Sequence, residues 1–123
     1  MIVLSRFRPA DGDAFRARAE PALAAFAARP GFVRGHVGRA ADDPALWTIV
    51  TEWDSVGSFR RALSAFDVKV HAAPLLAESI EEPSAYEVLL AAEGTVVSVR
   101  PSALAADAGT VRVGEPPRDR PQT

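Results

Sequence analysis

The chain has 123 residues, 48% of them hydrophobic and 24% charged, with a formal net charge of −2 at pH 7, the composition of one ordinary soluble globular domain. Having no cysteine, it is excluded from disulfide scaffolds, thiolate zinc sites, iron–sulfur clusters and cysteine nucleophiles. No apolar run approaches the roughly 18 residues of a membrane span, the opening Met1-Ile-Val-Leu-Ser lacks the basic start of a secretion signal, and the arginines are scattered among acids, so a cytoplasmic protein without a membrane or nucleic-acid partner is expected.

Residues 2 to 8, IVLSRFR, alternate as a strand, with Val3, Ser5 and Phe7 on one face and Ile2, Leu4 and Arg6 on the other. Asp11-Gly-Asp then offers a helix N-cap, and Phe15, Ala19, Leu23 and Phe26 follow at helical spacing until Arg29-Pro30-Gly31 ends the segment. Pro21 removes one backbone hydrogen bond, which predicts a kink or a late start for this helix. Residues 32 to 41, FVRGHVGRAA, read as a strand weakened by Gly35 and Gly38, with Phe32, Arg34 and His36 on one face. The turn-rich Asp42-Asp43-Pro44 joins it to a second strand, residues 46 to 53, so the pair reads as a hairpin. On that strand Trp47, Ile49 and Trp53 share one face and Leu46 and Val50 the other.

Residues 55 to 66 predict a second helix, continuing to Ile80 with a break at Pro74, and residues 84 to 91 return to strand character. Along this helix Val56, Phe59, Leu63, Phe66 and Val70 fall at i, i+3, i+7, i+10 and i+14, a predicted core stripe. The order βαββαβ is that of an α+β, ferredoxin-like four-stranded antiparallel sheet with both helices on one face. Its strands are apolar on both faces, and a domain of about 90 residues buries only roughly 60% of its unfolded surface and is marginal alone, so a homodimer covering the open sheet face is expected. Residues 1–92 are expected to form this domain and residues 93–123 a C-terminal extension, with short strands at 95 to 100 and 110 to 113 and a flexible tail from Glu115.

Arg29-Pro30-Gly31-Phe32 after an alanine-rich helix, a strand ending in Thr51-Glu52-Trp53, and Asp54-Ser55 with Phe59 on the next helix resemble the antibiotic biosynthesis monooxygenase family of the dimeric α+β barrel superfamily. The resemblance covers residues 2 to 91. It implies a pocket between sheet and helices, two sheets packed across a dimer, and a cofactor-free monooxygenase acting on an aromatic or quinol-like small molecule. Alternatives are a non-catalytic binder of an apolar metabolite and a haem-binding or haem-degrading relative, the latter making haem the alternative cofactor.

The candidate substrate-binding residues are Ser5, Phe7, Trp53, Phe59 and Phe66, and the candidate bases are His71 and His36, with Glu52 as a further possibility. On an unbroken helix His71 stacks with Arg60, Ser64 and Asp67 in a polar row, and Asp67 at i−4 offers it a surface partner. It becomes a site residue only if the helix stops near Asp67. In the haem-degrading branch His71 matches the axial histidine, but Ser5 and Ala62 stand where that branch resembles this sequence with asparagine and tryptophan. Trp47 and Trp53 read either as core or as a stacking surface for a planar ligand. The two histidines lack metal-ligand spacing, and no metal site is expected.

Overall fold

The computed structural model describes residues 1–102, so the expected strand at 110 to 113 and the tail from Glu115 lie outside the described residues. The chain divides into two units, Met1–Tyr86 and one beginning at Glu87. In the first, β1 (Ile2–Phe7), α1 (Gly12–Ala27), β2 (Phe32–Ala40), β3 (Asp43–Trp53), α2 (Val56–Leu63), α3 (Phe66–His71), α4 (Ala73–Leu76) and β4 (Ala85–Tyr86) follow in order. Four antiparallel strands form one sheet in the order β2-β3-β1-β4, the ferredoxin-like arrangement.

Alternation fixes the sheet's two faces. Val3, Ser5 and Phe7 on β1 and Trp47, Ile49, Thr51 and Trp53 on β3 are buried, while the residues between them are half-buried. The helices lie on the buried face, where Phe15, Ala19, Ala22 and Phe26 of α1 complete the core with Val68, Ala72 and Leu75. α1 begins where Asp11 caps it, the Asp11 carboxylate accepting from the amides of Asp13 and Ala14. The helix starts at Gly12 and carries Pro21 on its exposed side without a break, so no late start occurs.

β2 departs from the expected alternation. A register shift between Phe32 and Arg34 leaves Phe32 opposite Trp53 on the helix-covered face but sets Arg34 opposite Glu52 and His36 opposite Val50 on the other. Phe32 therefore does not share a face with Arg34 and His36, because one extra residue at a bulge reverses the side-chain phase. Gly35 faces α1, and a Cβ there would stand 2.7 Å from Leu23 Cδ1.

The second helix differs most from expectation. It ends at Leu63, Ala65 is extended (φ −71, ψ 143), and α3 restarts at Phe66. The core-facing residues are Ser58, Ala62, Val68, Ala72 and Leu75, not the large apolar stripe. Of that stripe Phe59 is half-buried, Val56, Leu63 and Val70 are exposed, and Phe66 is 77% exposed. Small side chains let the helix backbone approach the sheet, where burial of large neighbours such as Trp53 supplies the apolar area. Pro74 stands in the first turn of α4, where its missing N–H leaves no helical bond unmade.

Only Ala85 and Tyr86 of the expected last strand join the sheet, opposite Val3 and Ile2. Within the second unit β5 (Leu90–Glu93) pairs with β6 (Val96–Val99) as a hairpin. Its two-residue loop opens on Gly94 at φ +61, a conformation that costs glycine little.

Candidate functional site

The residues expected to line an internal pocket form two aromatic groups on the covered sheet face. Phe7 contacts Phe15 (centroids 4.9 Å), which contacts Trp47 (5.4 Å). Trp53 contacts Phe26 (5.7 Å), Phe32 (5.4 Å) and Phe59 (5.6 Å). Trp53 is 1% exposed, and its indole Nε1 donates to Thr51 Oγ1 at 2.9 Å, which satisfies both buried polar groups on one strand. Ser5 and Phe7 are buried beside them. Each of these side chains is in ring contact or buried within the core, so Ser5, Phe7 and Trp53 are held as packing, with Phe59 at its margin.

The other candidates lie elsewhere. Phe66 and His71 open and close α3 and are both exposed. The helix does stop before Asp67, yet His71 remains on the surface, and among the described residues it forms no ion pair with Asp67. His36 and Glu52 lie on the sheet face away from the helices, where Arg34 pairs with Glu52. The structure thus sets Ser5, Phe7, Trp53 and Phe59 on one covered face, with Phe7 in one aromatic group and Trp53 and Phe59 in the other, and leaves His36, His71 and Phe66 apart from them. His71 is exposed while Ser5 and Ala62 are buried, so the three positions of the haem resemblance do not face one space and the residues do not fit that group. Among the described residues no group of three His, Asp or Glu side chains could hold a metal ion.

An open cleft of about 580 Å³ lies instead between α1 and the β2–β3 edge, within the roughly 300–1,000 Å³ of small-molecule sites. α1 contributes Asp13, Arg16 and Glu20, which fall at i, i+3 and i+7 and therefore on one helix face. The strands contribute Gly35 to Arg39 and Trp47; His36 borders the cleft from the strand, although its register with Val50 assigns its side chain to the far face. A second open cleft of about 430 Å³ shares Asp13, Arg39 and Trp47 with the first.

Arg39 and Trp47 are direct partners across β2 and β3, and the Arg39 guanidinium lies over the indole, 5.5 Å from its centroid. Gly12 lets α1 close on the other part of this ring, since a Cβ there would stand 3.1 Å from Trp47 Cζ2. Arg6, Arg8, Arg18 and Arg34 each have a carboxylate partner. Among the described residues Arg16 and Arg39 form no ion pair, and neither do Asp13 and Glu20. The cleft therefore presents acids, which accept protons, and guanidiniums, which hold anions, beside a fixed aromatic stack. Asp13, Arg16, Glu20 and Arg39 were not among the residues expected from sequence.

Comparison with known proteins places these features. The family model described as antibiotic biosynthesis monooxygenase matches residues 1–73. The solved structure of SnoaB, a cofactor-independent oxygenase from Streptomyces nogalater, is 30% identical; the match covers 72% of this chain and 94% of that one, with a TM-score of 0.57. A structure from Chloroflexus aurantiacus, assigned provisionally to antibiotic biosynthesis monooxygenases, is 25% identical over 77% of this chain and 97% of its own, with a TM-score of 0.57. Rv0793 from Mycobacterium tuberculosis, 18% identical over 85% of this chain and 96% of its own with a TM-score of 0.55, shares the fold. A comparison with curated protein sequences returned no match. On the family match across residues 1–73, together with the sheet order and the strand-to-helix junction at Trp53, this chain belongs to the antibiotic biosynthesis monooxygenase family.

Proposed function

We propose that the protein is a cofactor-independent monooxygenase whose substrate is a planar aromatic molecule of the anthrone or hydroquinone type, bound in the cleft beside Trp47. The observation that carries this reading is the lining of that cleft: carboxylates and guanidiniums on one wall and the Arg39–Trp47 stack on the other. The interior aromatic groups are packed against one another, which moves the candidate chemistry outward from Ser5, Phe7 and Trp53. SnoaB, a cofactor-independent oxygenase, supports the reaction class.

Asp13 stands at the overlap of both clefts and takes the role of base in place of His71 or His36. It removes a proton from the activated CH₂ of an anthrone, and the resulting carbanion, spread over the rings and phenolic oxygens, is held by Arg39 and Arg16. Molecular oxygen then accepts the electron pair: a C–O bond forms, the peroxide anion takes the proton back from Asp13, and loss of the second proton of the same carbon to Asp13 forms the C=O bond as the O–O bond breaks and the departing hydroxide leaves, protonated, as water. The carbon becomes a carbonyl, one oxygen atom is reduced to water, and no further reductant enters. Oxygen uptake with a panel of anthrones and hydroquinones tests this. Turnover that falls at least about a hundredfold in Asp13→Asn is the expected result; binding without uptake would leave a non-catalytic binder of aromatic metabolites.

The same reading makes the protein a homodimer through the uncovered sheet face, on which Ile2, Leu4, Leu46 and Val50 are half-buried and Tyr86 is exposed. Light scattering that gives the monomer mass at micromolar concentration would refute the dimer.

A further inference from the structure

We infer that the outer face of α2 and α3 is a docking surface for a second copy of this chain, and that its occupant is the partner's β5–β6 hairpin. The inference goes beyond the oxygenase reading and does not rest on it. Val56, Leu63, Phe66 and Val70 are all exposed; large apolar side chains exposed singly are ordinary, whereas a row of them marks a contact. Val56 and Leu63 fall at i and i+7 on α2, away from the buried Ser58 and Ala62. Phe66 and Val70 fall at i and i+4 on α3, away from the buried Val68. Helical geometry therefore turns both pairs outward.

Charge narrows what can lie there. Arg60 and Lys69 are exposed beside these residues, and among the described residues neither forms an ion pair. Residues 56–71 hold Arg60, Arg61 and Lys69 against Asp67 alone, a net +2 with histidine neutral, on a chain of net −2. Two copies of this face set against each other would oppose like charges, so its complement is a surface both apolar and acidic. Residues 78–93 of the same sequence hold Glu78, Glu81, Glu82, Glu87 and Glu93 and neither lysine nor arginine. Glu78 and Glu82 are held by Arg18 and Arg6. Glu81, Glu87 and Glu93 form no ion pair among the described residues.

The hairpin supplies the apolar part of that complement. Register sets Leu90 opposite Val99 and Ala92 opposite Val97, so these four side chains share one face. Leu90, Val97 and Val99 are exposed, and Glu93 ends the same strand. A lone two-stranded hairpin is marginally stable in water at best, so this face gains from cover. The chain thus carries two uncovered apolar surfaces of opposite charge. Each copy holds both, and a two-fold arrangement satisfies the two contacts reciprocally and closes. The surfaces are small, so the contact belongs to concentrated protein, and dilute protein leaves Phe66 free.

The chain has no cysteine, so introduced thiols report the contact directly. Copies carrying Phe66→Cys and copies carrying Val99→Cys are mixed in equal amounts at about 100 μM and treated with a short bismaleimide. Mixed cross-linked pairs are expected well above the half that random pairing produces. With Lys69→Glu added to the first copies, the excess is expected to fall about threefold or more at low salt. Glu93→Lys added to the second copies is expected to restore it. All four positions are exposed, so the variants keep the core intact. Random proportions, a predominance of like-with-like pairs, or an excess indifferent to both charge reversals would overturn the inference. A chain carrying both thiols that cross-links only within itself would place the hairpin on its own helices and overturn it as well. Pelleting of the native chain with phosphatidylglycerol vesicles, lost in Phe66→Ser and without any mixed excess, would assign the face to an anionic membrane instead.

Discussion

Arg39 and Trp47 face each other across β2 and β3, and the guanidinium covers the indole at 5.5 Å. This pair joins the core to the cleft: Trp47 contacts Phe15 within the packed interior, and Arg39 and Trp47 both line the cleft. Sheet register, rather than a loop, therefore sets the candidate site, and the site is as rigid as the hairpin that carries it.

The junction between β2 and α2 is the most constrained backbone in the first unit. Gly31 has φ +88, and a Cβ there would stand 2.3 Å from Ser58 Oγ and 2.6 Å from Asp54 Oδ1, the two groups that hydrogen-bond at 2.6 Å beside the α2 N-cap. Gly31→Ala is expected to destabilise the protein by roughly 3 kcal/mol, combining the left-handed backbone cost with the clash. Urea unfolding measures it, and a change under about 0.5 kcal/mol would show that the junction relaxes.

The two sides of α3 are expected to respond oppositely to truncation. Val68 is 0% exposed and Phe66 is 77% exposed. Val68→Ala should cost about 1–3 kcal/mol through lost burial and a cavity, whereas Phe66→Ala should change stability by less than about 0.5 kcal/mol. Equal costs in denaturant melts would mean that Phe66 is covered in solution, for instance by a second copy.

Acid should weaken the carboxylate–arginine tethers, Arg6–Glu82 among them. Arg6 holds Glu82 through two hydrogen bonds of 2.7 Å, and this bonding, reinforced by charge attraction, lowers the Glu82 pKa below its ordinary 4.5. A depressed folded-state pKa means stability that is full above the unfolded value and lost as pH falls through the folded one. The gap in melting temperature between the native chain and Glu82→Gln should therefore be constant above the carboxylate range and close below it. The effect is small, because Arg6 is 42% exposed and solvent screens the pair. A gap independent of pH would contradict the assignment.

Much of this was legible in the sequence, and the failures have specific causes. Alternation in IVLSRF and LWTIVTEW grouped Val3, Ser5 and Phe7 on one strand face and Trp47, Ile49 and Trp53 on another, and the packing of the helices is what makes these the buried face. The cleft's central pair was not available from the turn: the hairpin closes with Ala40 opposite Asp43, and a register shift between Arg39 and Ala40 is what sets Arg39 opposite Trp47. The bulge after Phe32 gave no signal and reversed the phase of His36. On α2 and α3 the large apolar residues suggested the wrong face, since Ser58, Ala62 and Ala72 are weakly hydrophobic yet pack closest, and the extended Ala65 shifts the helical phase midway. Asp13, Arg16 and Glu20 carried a readable signal, one polar face of α1, but a polar helix face is ordinarily solvated, and only the strand opposite makes it a wall.

The central claim, direct oxygenation without a cofactor, is tested most directly by turning over an anthrone under ¹⁸O₂ with no added metal, flavin or nicotinamide, and weighing the product. The account predicts an anthraquinone carrying one ¹⁸O atom at the new carbonyl, with one oxygen molecule consumed per product and the rate lost in Asp13→Asn. Product formed no faster than in buffer alone, or product without the label, would contradict it.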